Sequence, residues 1–263
     1  LPINPSRSSL FGLPAAPGLA ALDSAPDLAV FTVGADTVLE QAQIAAQMGV
    51  RGLLVISAGF ADAGERGLER EQALLRICRD SGMRLIGPNC LGIQRPRLQL
   101  NASAAGPLAQ AGSLALVSQS GALTASILDW ASQNAVGFSN VVSLGPNTSV
   151  DIAQVLDFLA SDAQTHSIVV YLEGISSARR FMSALRAAAN AKPVIVLKAG
   201  RKQAGNEAAQ THSGAIVGSD DVFDAALRRA GAVRVRSFVE LFSASKCLAS
   251  RYRPVGKRLA IVT

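Results

Sequence analysis

Residues 114–131 read LALVSQSGALTASILDWA, and they contain the unit that decides the fold. An apolar run typical of a buried strand leads into the polar turn SQSG (residues 118–121). Apolar side chains then recur at helical spacing at Leu123, Ile127 and Ala131. A strand that passes through a short turn into a helix is the repeating unit of parallel α/β proteins, so this stretch predicts a sheet covered by helices on both faces.

The same alternation of strand and helix runs along most of the chain. Helical spacing is seen in the stripe Ile152, Val155 and Leu159, and Ser237 with Glu240 three residues later is typical of a capping box. The predicted strands are residues 28–33, 52–57, 84–86, 113–118, 140–144, 167–172, 193–198, 232–235 and 258–262. This pattern predicts a doubly wound α/β fold class with parallel sheets.

The length and composition of the chain allow two modest domains, because 49% of its 263 residues are hydrophobic. Composition shifts at residues 101–113, NASAAGPLAQAGS, and at residues 251–258, RYRPVGKR, predict two boundaries. We therefore expect one domain at 1–105, a second at 106–253 and the first strand of a following domain at 254–263. Both ends resemble interrupted strands, which predicts that the sequence is a piece of a longer polypeptide.

Bulk features argue against several classes of protein. No apolar run reaches about 18 residues and no secretory signal is recognisable, so we expect no membrane segment. The three cysteines are too scattered for a disulfide framework or a metal pair, which favours a cytoplasmic protein without a bound metal. The formal net charge is +6, but no stacking aromatics accompany the basic residues, so we expect no nucleic-acid partner.

The turn Ser118-Gln119-Ser120-Gly121 is a candidate phosphate site. The first N–H groups of a helix have no partner within the helix, and two hydroxyls and a glycine allow an anion to approach closely. The alternative is that Ser118 or Ser120 only caps the helix. The local sequence leaves both interpretations open.

Other polar residues follow predicted strands, where the ligands of doubly wound sheets gather. Residues 87–92, GPNCLG, form a turn in which Cys90 is interpreted as a structural or lining thiol, since nothing nearby supplies a base. Glu173 directly follows the apolar run 167–172. It is either an exposed strand end or a carboxylate that orients an imidazole.

His212 is one of only two histidines and lies in a stretch of small residues, AAQTHSGAIVGS. No second histidine or cysteine stands at metal spacing, which leaves a surface residue or a reactive imidazole. A helix start suited to phosphate, a carboxylate at a strand end and this histidine together predict phosphoryl transfer through the imidazole. His166 offers no comparable setting and is expected to face solvent.

Ordered motifs along the chain give a family resemblance. LIGPNCLGI, LVSQSGALTASILDWA, VVSLGPNTSVDIAQVLDFLA, VVYLEGI, KPVIVLKAGR and THSGAIVGSDDVFDAALRRAGAVRV follow one another as in NDP-forming acyl-CoA synthetases. Over nearly its whole length the chain resembles ADP-forming acetate–CoA ligases and succinyl-CoA synthetase alpha-type proteins. The resemblance implies a Rossmann-like CoA-binding domain, without its first strand and glycine-rich turn, followed by a flavodoxin-like ligase domain.

The resemblance also implies roles for individual residues. His212 would be phosphorylated, Glu173 would orient it, and the turn at 118–121 would receive the phosphate. The implied CoA contacts are Asn4, Pro5, Ser57, Gly59, Pro88, Asn89 and Cys90.

The reaction that the resemblance implies converts acyl-CoA, phosphate and ADP into a small carboxylic acid, CoA and ATP. It passes through an acyl phosphate and a phosphohistidine. ADP or ATP with Mg would be held by an ATP-grasp domain or subunit outside this sequence, and the protein would be an oligomer.

Two other functions stay open at this point. GALTASILDWA and SSARRFMSALRAAANAKPVIVLKAGR look nearest to the ligase-like region of bacterial protein lysine acetyltransferases that carry a GNAT domain. That resemblance implies a region that binds CoA or acyl-CoA as a regulator. A flavodoxin-like module for flavin or another phosphate ligand rests on fold analogy alone, and no stacking aromatics stand at the relevant loops.

Overall fold

The chain begins with a short antiparallel ladder of two strands, β1 (Ser9–Leu10) and β2 (Leu13–Pro14). Beyond it, the backbone forms two units, each built on a parallel sheet. The computed structural model describes residues 1–146, 149–200, 220–250, 256–258 and 260–262.

The first unit is a three-stranded parallel sheet. Its strands are β3 (Leu28–Phe31), β4 (Gly52–Val55) and β5 (Arg84–Ile86), in that order. Two helices, α1 (Ala35–Met48) and α2 (Glu65–Ser81), connect them. Strands and helices share one core, whose buried members include Val38, Leu53, Val55, Phe60, Leu74 and Leu85.

The second unit is a seven-stranded sheet. Its strands are β6 (Gly92–Arg95), β7 (Leu100–Ser103), β8 (Ala111–Ser118), β9 (Phe138–Ser143), β10 (Ser167–Leu172), β11 (Val194–Lys198) and β12 (Val233–Val235). Their spatial order is β12-β11-β10-β8-β9-β6-β7, in which β8 to β12 run parallel and the β6–β7 hairpin runs antiparallel. The hairpin therefore belongs to this sheet by its hydrogen bonds, although it precedes the predicted boundary at residue 105.

Helices cover both faces of the second sheet. They are α3 (Gly121–Gln133), α4 (Ile152–Ser161), α5 (Ala178–Ala191), α6 (Asp220–Ala230) and α7 (Phe238–Ala249). α4, α5 and α6 pack on one face, and the core there includes Leu156, Phe181, Leu185 and Leu227. α3 and α7 pack on the other face, where the rings of Trp130 and Phe242 stack with centroids 4.6 Å apart. The doubly wound α/β class predicted from the sequence is confirmed.

The predicted strands up to residue 235 are all confirmed, with ends that differ by at most two residues. The β6–β7 hairpin is a strand pair that the sequence analysis missed. The strand expected at 258–262 is not formed at Arg258 or at 260–262, where the backbone pairs with no strand that the structure describes. The start of a following domain at 254–263 stays a prediction.

Two further sequence predictions concern the start of α7 and membrane-spanning helices. The hydroxyl of Ser237 caps α7 by accepting from the N–H of Glu240 at 3.2 Å, which is one half of the predicted capping box. The carboxylate of Glu240 accepts from the N–H of Arg236 at 2.6 Å and not from that of Ser237. None of the helices in the part of the chain that the structure describes has the length and apolar character needed to cross a bilayer.

A buried polar network lies where α4 ends, and its centre is Asp162. One carboxylate oxygen accepts from the amide of Asn140 at 2.8 Å and from the hydroxyl of Thr165 at 2.7 Å. The guanidinium of Arg95, from β6, lies 3.8 Å from the other oxygen. Burial opposes the charge, but the hydrogen bonds outweigh it and the pKa of Asp162 is lowered.

We expect Asp162→Asn to lower the free energy of unfolding by about 1–3 kcal/mol near neutral pH, since the buried donors lose a charged acceptor. Because the pKa of Asp162 is lower in the folded state, its contribution is present above the unfolded value of about 3.9 and is lost as the pH falls through the folded value. Urea unfolding should therefore show a difference between variant and wild type that shrinks on acidification. Asp80→Asn, at a carboxylate that is 72% exposed, is the control and should show no such loss.

Candidate active site

The carboxyl ends of three parallel strands lie in one row. Ser118, the last residue of β8, pairs with Ser143 of β9 on one side and with Tyr171 of β10 on the other. The loops that follow these strands therefore start at the same edge of the sheet, which is where α/β proteins bind their ligands. Glu173, just beyond β10, lies at this edge.

The turn between β8 and α3 is shaped by its own hydroxyls. Ser118 is fully buried, and its Oγ donates to the carbonyl of Ser120 at 2.9 Å and accepts from the N–H of Ser120 at 3.1 Å. The Oγ of Ser120 caps α3 by accepting from the N–H of Leu123 at 3.3 Å. The N–H groups of Gly121 and Ala122 donate to no residue that the structure describes, so they are the anion-binding donors that this turn offers.

The side chain of Gln119 connects this turn to the residues after β10. Its Oε1 accepts from the N–H of Glu173 at 2.6 Å and from that of Gly174 at 3.1 Å. Its Nε2 donates to the carbonyl of Gly174 at 2.9 Å. The structure thus brings the predicted phosphate turn and the backbone of Glu173 together, and Gln119 forms the link.

The turn at residues 87–92 lies against the same edge. The N–H of Leu91 donates to the hydroxyl of Ser143 at 3.0 Å, where β9 ends. A Cβ on Gly121 would lie 3.5 Å from that of Leu91, so this turn is packed next to the start of α3. On its other side the carbonyl of Asn89 approaches Gly145, the second residue after β9, so closely that no side chain fits there.

The predicted CoA residues Ser57, Asn89 and Cys90 meet on the side of this turn that faces the first unit. The N–H of Asn89 donates to the carbonyl of Ser57 at 2.9 Å. The thiol of Cys90 donates to the carbonyl of Val55 at 3.4 Å, and burial raises the pKa of this thiol to about 12. Cys90 is thus a structural thiol that fastens the turn to β4.

The hydroxyl of Ser57 bears on whether a ligand fits this location. Its Oγ is buried and has no hydrogen-bond partner among the described residues, although it follows the carboxyl end of β4. A buried hydroxyl without a partner is costly, and a ligand that donates or accepts there would satisfy it. Gly59 follows with φ +100, a conformation that favours glycine, and its N–H donates to the carboxylate of Asp62 at 3.0 Å. These residues fit a bound CoA.

Two predicted site residues, Asn4 and Pro5, are not joined to this group. Asn4 forms hydrogen bonds with Ala16 and Ser6 of its own segment, and Pro5 lies exposed beside it. His212 lies outside the described residues. Within those residues, no group of three or more histidine, cysteine, aspartate or glutamate side chains is placed to hold a metal ion.

A buried lysine at the end of β11 is a candidate that the sequence analysis missed. Lys198 is 7% exposed, and its ammonium donates to the carbonyls of Ala199 at 3.1 Å and Gly200 at 3.3 Å. Burial lowers the pKa of Lys198, while the charge of Asp220 opposes this effect. A charged residue that ends the apolar run VIVLK is the signal that could have identified it.

The surroundings of Lys198 connect β11 to the start of α6. The ammonium lies 5.5 Å from the ring centroid of Phe223, and the guanidinium of Arg234 lies 5.6 Å from the same centroid. Arg234 forms ion pairs with Asp220 and Asp224. The cluster therefore joins the described residues on the two sides of the 201–219 stretch.

The chain forms two α/β units, each built on a parallel sheet, and the loops at their strand ends meet at the turn 87–92. This architecture is that of a two-domain α/β protein whose candidate ligand site lies at the domain junction. Residues 1–96 match the family described as a CoA binding domain, and residues 111–248 match the family described as a succinyl-CoA ligase like flavodoxin domain. The chain belongs to the succinyl-CoA ligase-like flavodoxin family, with a Rossmann-like CoA-binding domain before that domain. The resemblance to ADP-forming acetate–CoA ligases and succinyl-CoA synthetase alpha-type proteins is confirmed.

Known proteins are similar over nearly the whole chain. Acetate–CoA ligase [ADP-forming] I of Archaeoglobus fulgidus is 38% identical over 99% of this chain and 38% of its own length. Acetate–CoA ligase [ADP-forming] I subunit alpha of Pyrococcus furiosus is 38% identical over 90% of this chain and 51% of its own. The chain thus spans about two fifths to one half of these relatives.

A solved structure has the same fold. Acetyl-coenzyme A synthetase 1 of Ca. Korarchaeum cryptofilum, in complex with phosphate and ADP, superposes with a TM-score of 0.91. It is 34% identical, and the match covers 97% of this chain and 55% of that one.

Gly145→Ala tests the contact between the two loops. A Cβ would lie 2.6 Å from the carbonyl oxygen of Asn89 and 2.7 Å from that of Pro88, so we expect a loss of about 1–3 kcal/mol in the free energy of unfolding. Gly106→Ala is the matched control, because φ is also positive there but nothing lies within 4 Å. Urea unfolding should show the larger loss for Gly145→Ala, and equal losses would refute the close contact.

Thiol labelling tests the structural role of Cys90. Burial raises the pKa of Cys78 to about 11 and that of Cys90 to about 12, whereas Cys247 is exposed. Since the thiolate is the reactive form, a maleimide should label only Cys247 in the native protein and all three thiols after unfolding. Cys247→Ser should abolish native labelling. Rapid native labelling of Cys90 would contradict its assignment as a structural thiol.

Proposed function

We propose that this chain is the acyl-CoA-handling part of an ADP-forming acid–CoA ligase. The overall reaction is acyl-CoA with phosphate and ADP giving a carboxylic acid, CoA and ATP. The observation that carries the proposal is the meeting of Glu173, the open N–H groups of Gly121 and Ala122, and the turn 87–92 at one sheet edge. The relatives described above are ligases and a synthetase, which favours this function over the regulatory region of an acetyltransferase.

The proposed reaction consists of one acyl transfer followed by two phosphoryl transfers. A phosphate oxygen attacks the acyl carbonyl carbon, the carbon–sulfur bond breaks, and the thiolate leaves with the formation of an acyl phosphate. A ring nitrogen of His212 then attacks phosphorus, and the carboxylate leaves. Finally a terminal oxygen of ADP takes the phosphoryl group from His212, which gives ATP and restores the imidazole.

Different residues of the site have different roles in this reaction. The N–H groups of Gly121 and Ala122 hold the negative charge of the phosphate at the start of α3, where the helix dipole adds to their effect. The carboxylate of Glu173 orients the imidazole of His212 and makes it more basic. Ser118 and Ser120 fix the turn through their own hydrogen bonds rather than through the phosphate.

CoA supplies the thiol that carries the acyl group. We propose that Ser57, Gly59, Pro88 and Asn89 hold it at the junction, with Asn4 and Pro5 beyond them. Cys90 contributes by fastening the turn to β4. The reacting thioester would then lie next to the start of α3, because Leu91 joins the same turn to Gly121.

The nucleotide step requires a partner. We propose that an ATP-grasp domain or subunit brings ADP or ATP with Mg to the phosphohistidine. The Pyrococcus furiosus relative is named as a subunit alpha, and the Korarchaeum structure contains phosphate and ADP. In this proposal residues 1–105 form the CoA-binding unit, 106–253 the ligase unit and 254–263 the start of a further domain. A cytoplasmic location also stays a prediction.

Phosphohistidine formation tests the proposed function. When the full-length protein is incubated with labelled ATP and Mg, it should incorporate phosphate that is acid-labile and base-stable. His212→Ala should abolish the label, and Glu173→Gln should reduce its rate by about 10- to 100-fold, because the imidazole loses its orienting charge.

His166→Ala is the matched control, since this chain has only two histidines. It should label like the wild type. Labelling of His212→Ala at the wild-type level, or the absence of any label in the wild type, would rule out the mechanism.

A further inference from the structure

The side chain of Gln119 uses three of the four hydrogen bonds that an amide can form, in a place where an exposed, ligand-binding amide would be expected. It is 9% exposed and makes three hydrogen bonds to the backbone of residues 173–174, at 2.6, 2.9 and 3.1 Å. Two N–H groups meet one oxygen of the amide and one carbonyl meets its nitrogen, so the orientation of the amide is determined by its partners.

These bonds continue the sheet beyond its last rung. The ladder between β8 and β10 ends with Ser118 opposite Tyr171, and the N–H of Gln119 still donates to the carbonyl of Tyr171 at 3.3 Å. Beyond that point the two backbones separate, because the chain after β8 turns into α3. The Gln119 amide bridges the gap and replaces the next rungs of the ladder.

The bonds fix the backbone of Glu173. The N–H of Glu173 and both polar backbone groups of Gly174 are held by one buried side chain. With its backbone fixed, the carboxylate of Glu173 moves only through rotations of the side chain. Its charge acts on the neighbouring Tyr171, whose pKa is raised by burial and, in addition, by Glu173.

We propose that Gln119 is a positioning residue for Glu173, and that it acts on the imidazole of His212 only through that carboxylate. This inference rests on the proposed function. It differs from the expectation that the Gln119 side chain is a phosphate ligand, because the amide oxygen and one N–H of the amide nitrogen bind the backbone of residues 173–174.

The pH dependence of phosphohistidine formation distinguishes positioning from a purely structural role. The imidazole must be neutral to attack phosphorus, so the rate falls on the acid side as His212 becomes protonated. A nearby carboxylate stabilises the imidazolium and raises its pKa. If the carboxylate is displaced, the pKa of His212 falls and the acid limb of the pH–rate profile moves to lower pH.

The experiment uses the full-length protein with Gln119→Met and Gln119→Leu, labelled ATP and Mg. Both variants should form phosphohistidine about tenfold or more slowly, and their acid limb should move to lower pH, in the same direction as in Glu173→Gln. The apparent KM for inorganic phosphate in ATP synthesis from acetyl-CoA, phosphate and ADP should stay within about twofold of wild type.

Gln133→Met is the matched control. It makes the same change at an exposed glutamine of α3, whose amide donates to Asp129 of the same helix. It should leave the rate and the pH profile unchanged. Thermal unfolding of each variant shows that the protein measured is folded.

The outcomes separate this inference from the proposed function. If Glu173→Gln moves the acid limb and the Gln119 variants do not, the positioning role is wrong and the mechanism stands. If the Gln119 variants raise the KM for phosphate with an unmoved limb, the amide is a phosphate ligand. If Glu173→Gln itself leaves the limb unmoved, the pairing of carboxylate and imidazole in the proposed function fails.

Discussion

The common register of three parallel strands is the constraint on which the site depends. Pairing of Ser118 with Ser143 and Tyr171 makes three loops begin at one level. A slip of one residue would send every side chain of a strand to the opposite face, and both faces are buried here. The packing of the core therefore also fixes where the polar groups at the sheet edge stand.

Hydrogen bonds donated by backbone N–H groups join the two units at the turn 87–92 and beside it. The N–H of Asn89 donates to Ser57, the N–H of Leu91 to the Ser143 hydroxyl, and the N–H of Val150 to the carbonyl of Leu85. Such bonds are short and directional, so the turn 87–92 is held on both sides at once. Ser57 and the predicted phosphate turn consequently lie on opposite sides of this loop, to which Pro88, Asn89 and Cys90 belong.

The sequence predicts the parallel strands and their helices because burial on both sides leaves apolar runs and helical stripes that can be counted. It misses the β6–β7 hairpin because Gln94 has a polar side chain but is fully buried. Its amide is satisfied by the hydroxyl of Ser103 at 3.0 Å and the N–H of Ala109 at 2.9 Å. A buried glutamine is indistinguishable from a surface one until its partners are known.

At the candidate site, too, the sequence predicts which residues follow strands but not which of them contact each other. Motifs place the turn 118–121 and Glu173 at strand ends, but the bond between Gln119 and Glu173 joins residues 54 positions apart. No local pattern reveals such a contact, because it arises from the order of β8 and β10 in the sheet. The charge of Lys198, at the end of an apolar run, was visible in the sequence, but its partners Ala199, Gly200 and Phe223 were not.

The polar side chains at the strand ends form hydrogen bonds mainly to other groups of the protein. A buried hydroxyl, amide or ammonium is costly unless it is hydrogen-bonded, and Ser118, Gln119 and Lys198 each bond to backbone groups of the loop that follows a strand. They thereby fix backbone groups close to the ends of the strands. In the proposed function, the anion is held by the pair of backbone donors at Gly121 and Ala122, which require no side-chain ordering when the ligand binds. Substitution of the buried residues would then alter the proposed chemistry by moving these donors and the backbone of Glu173.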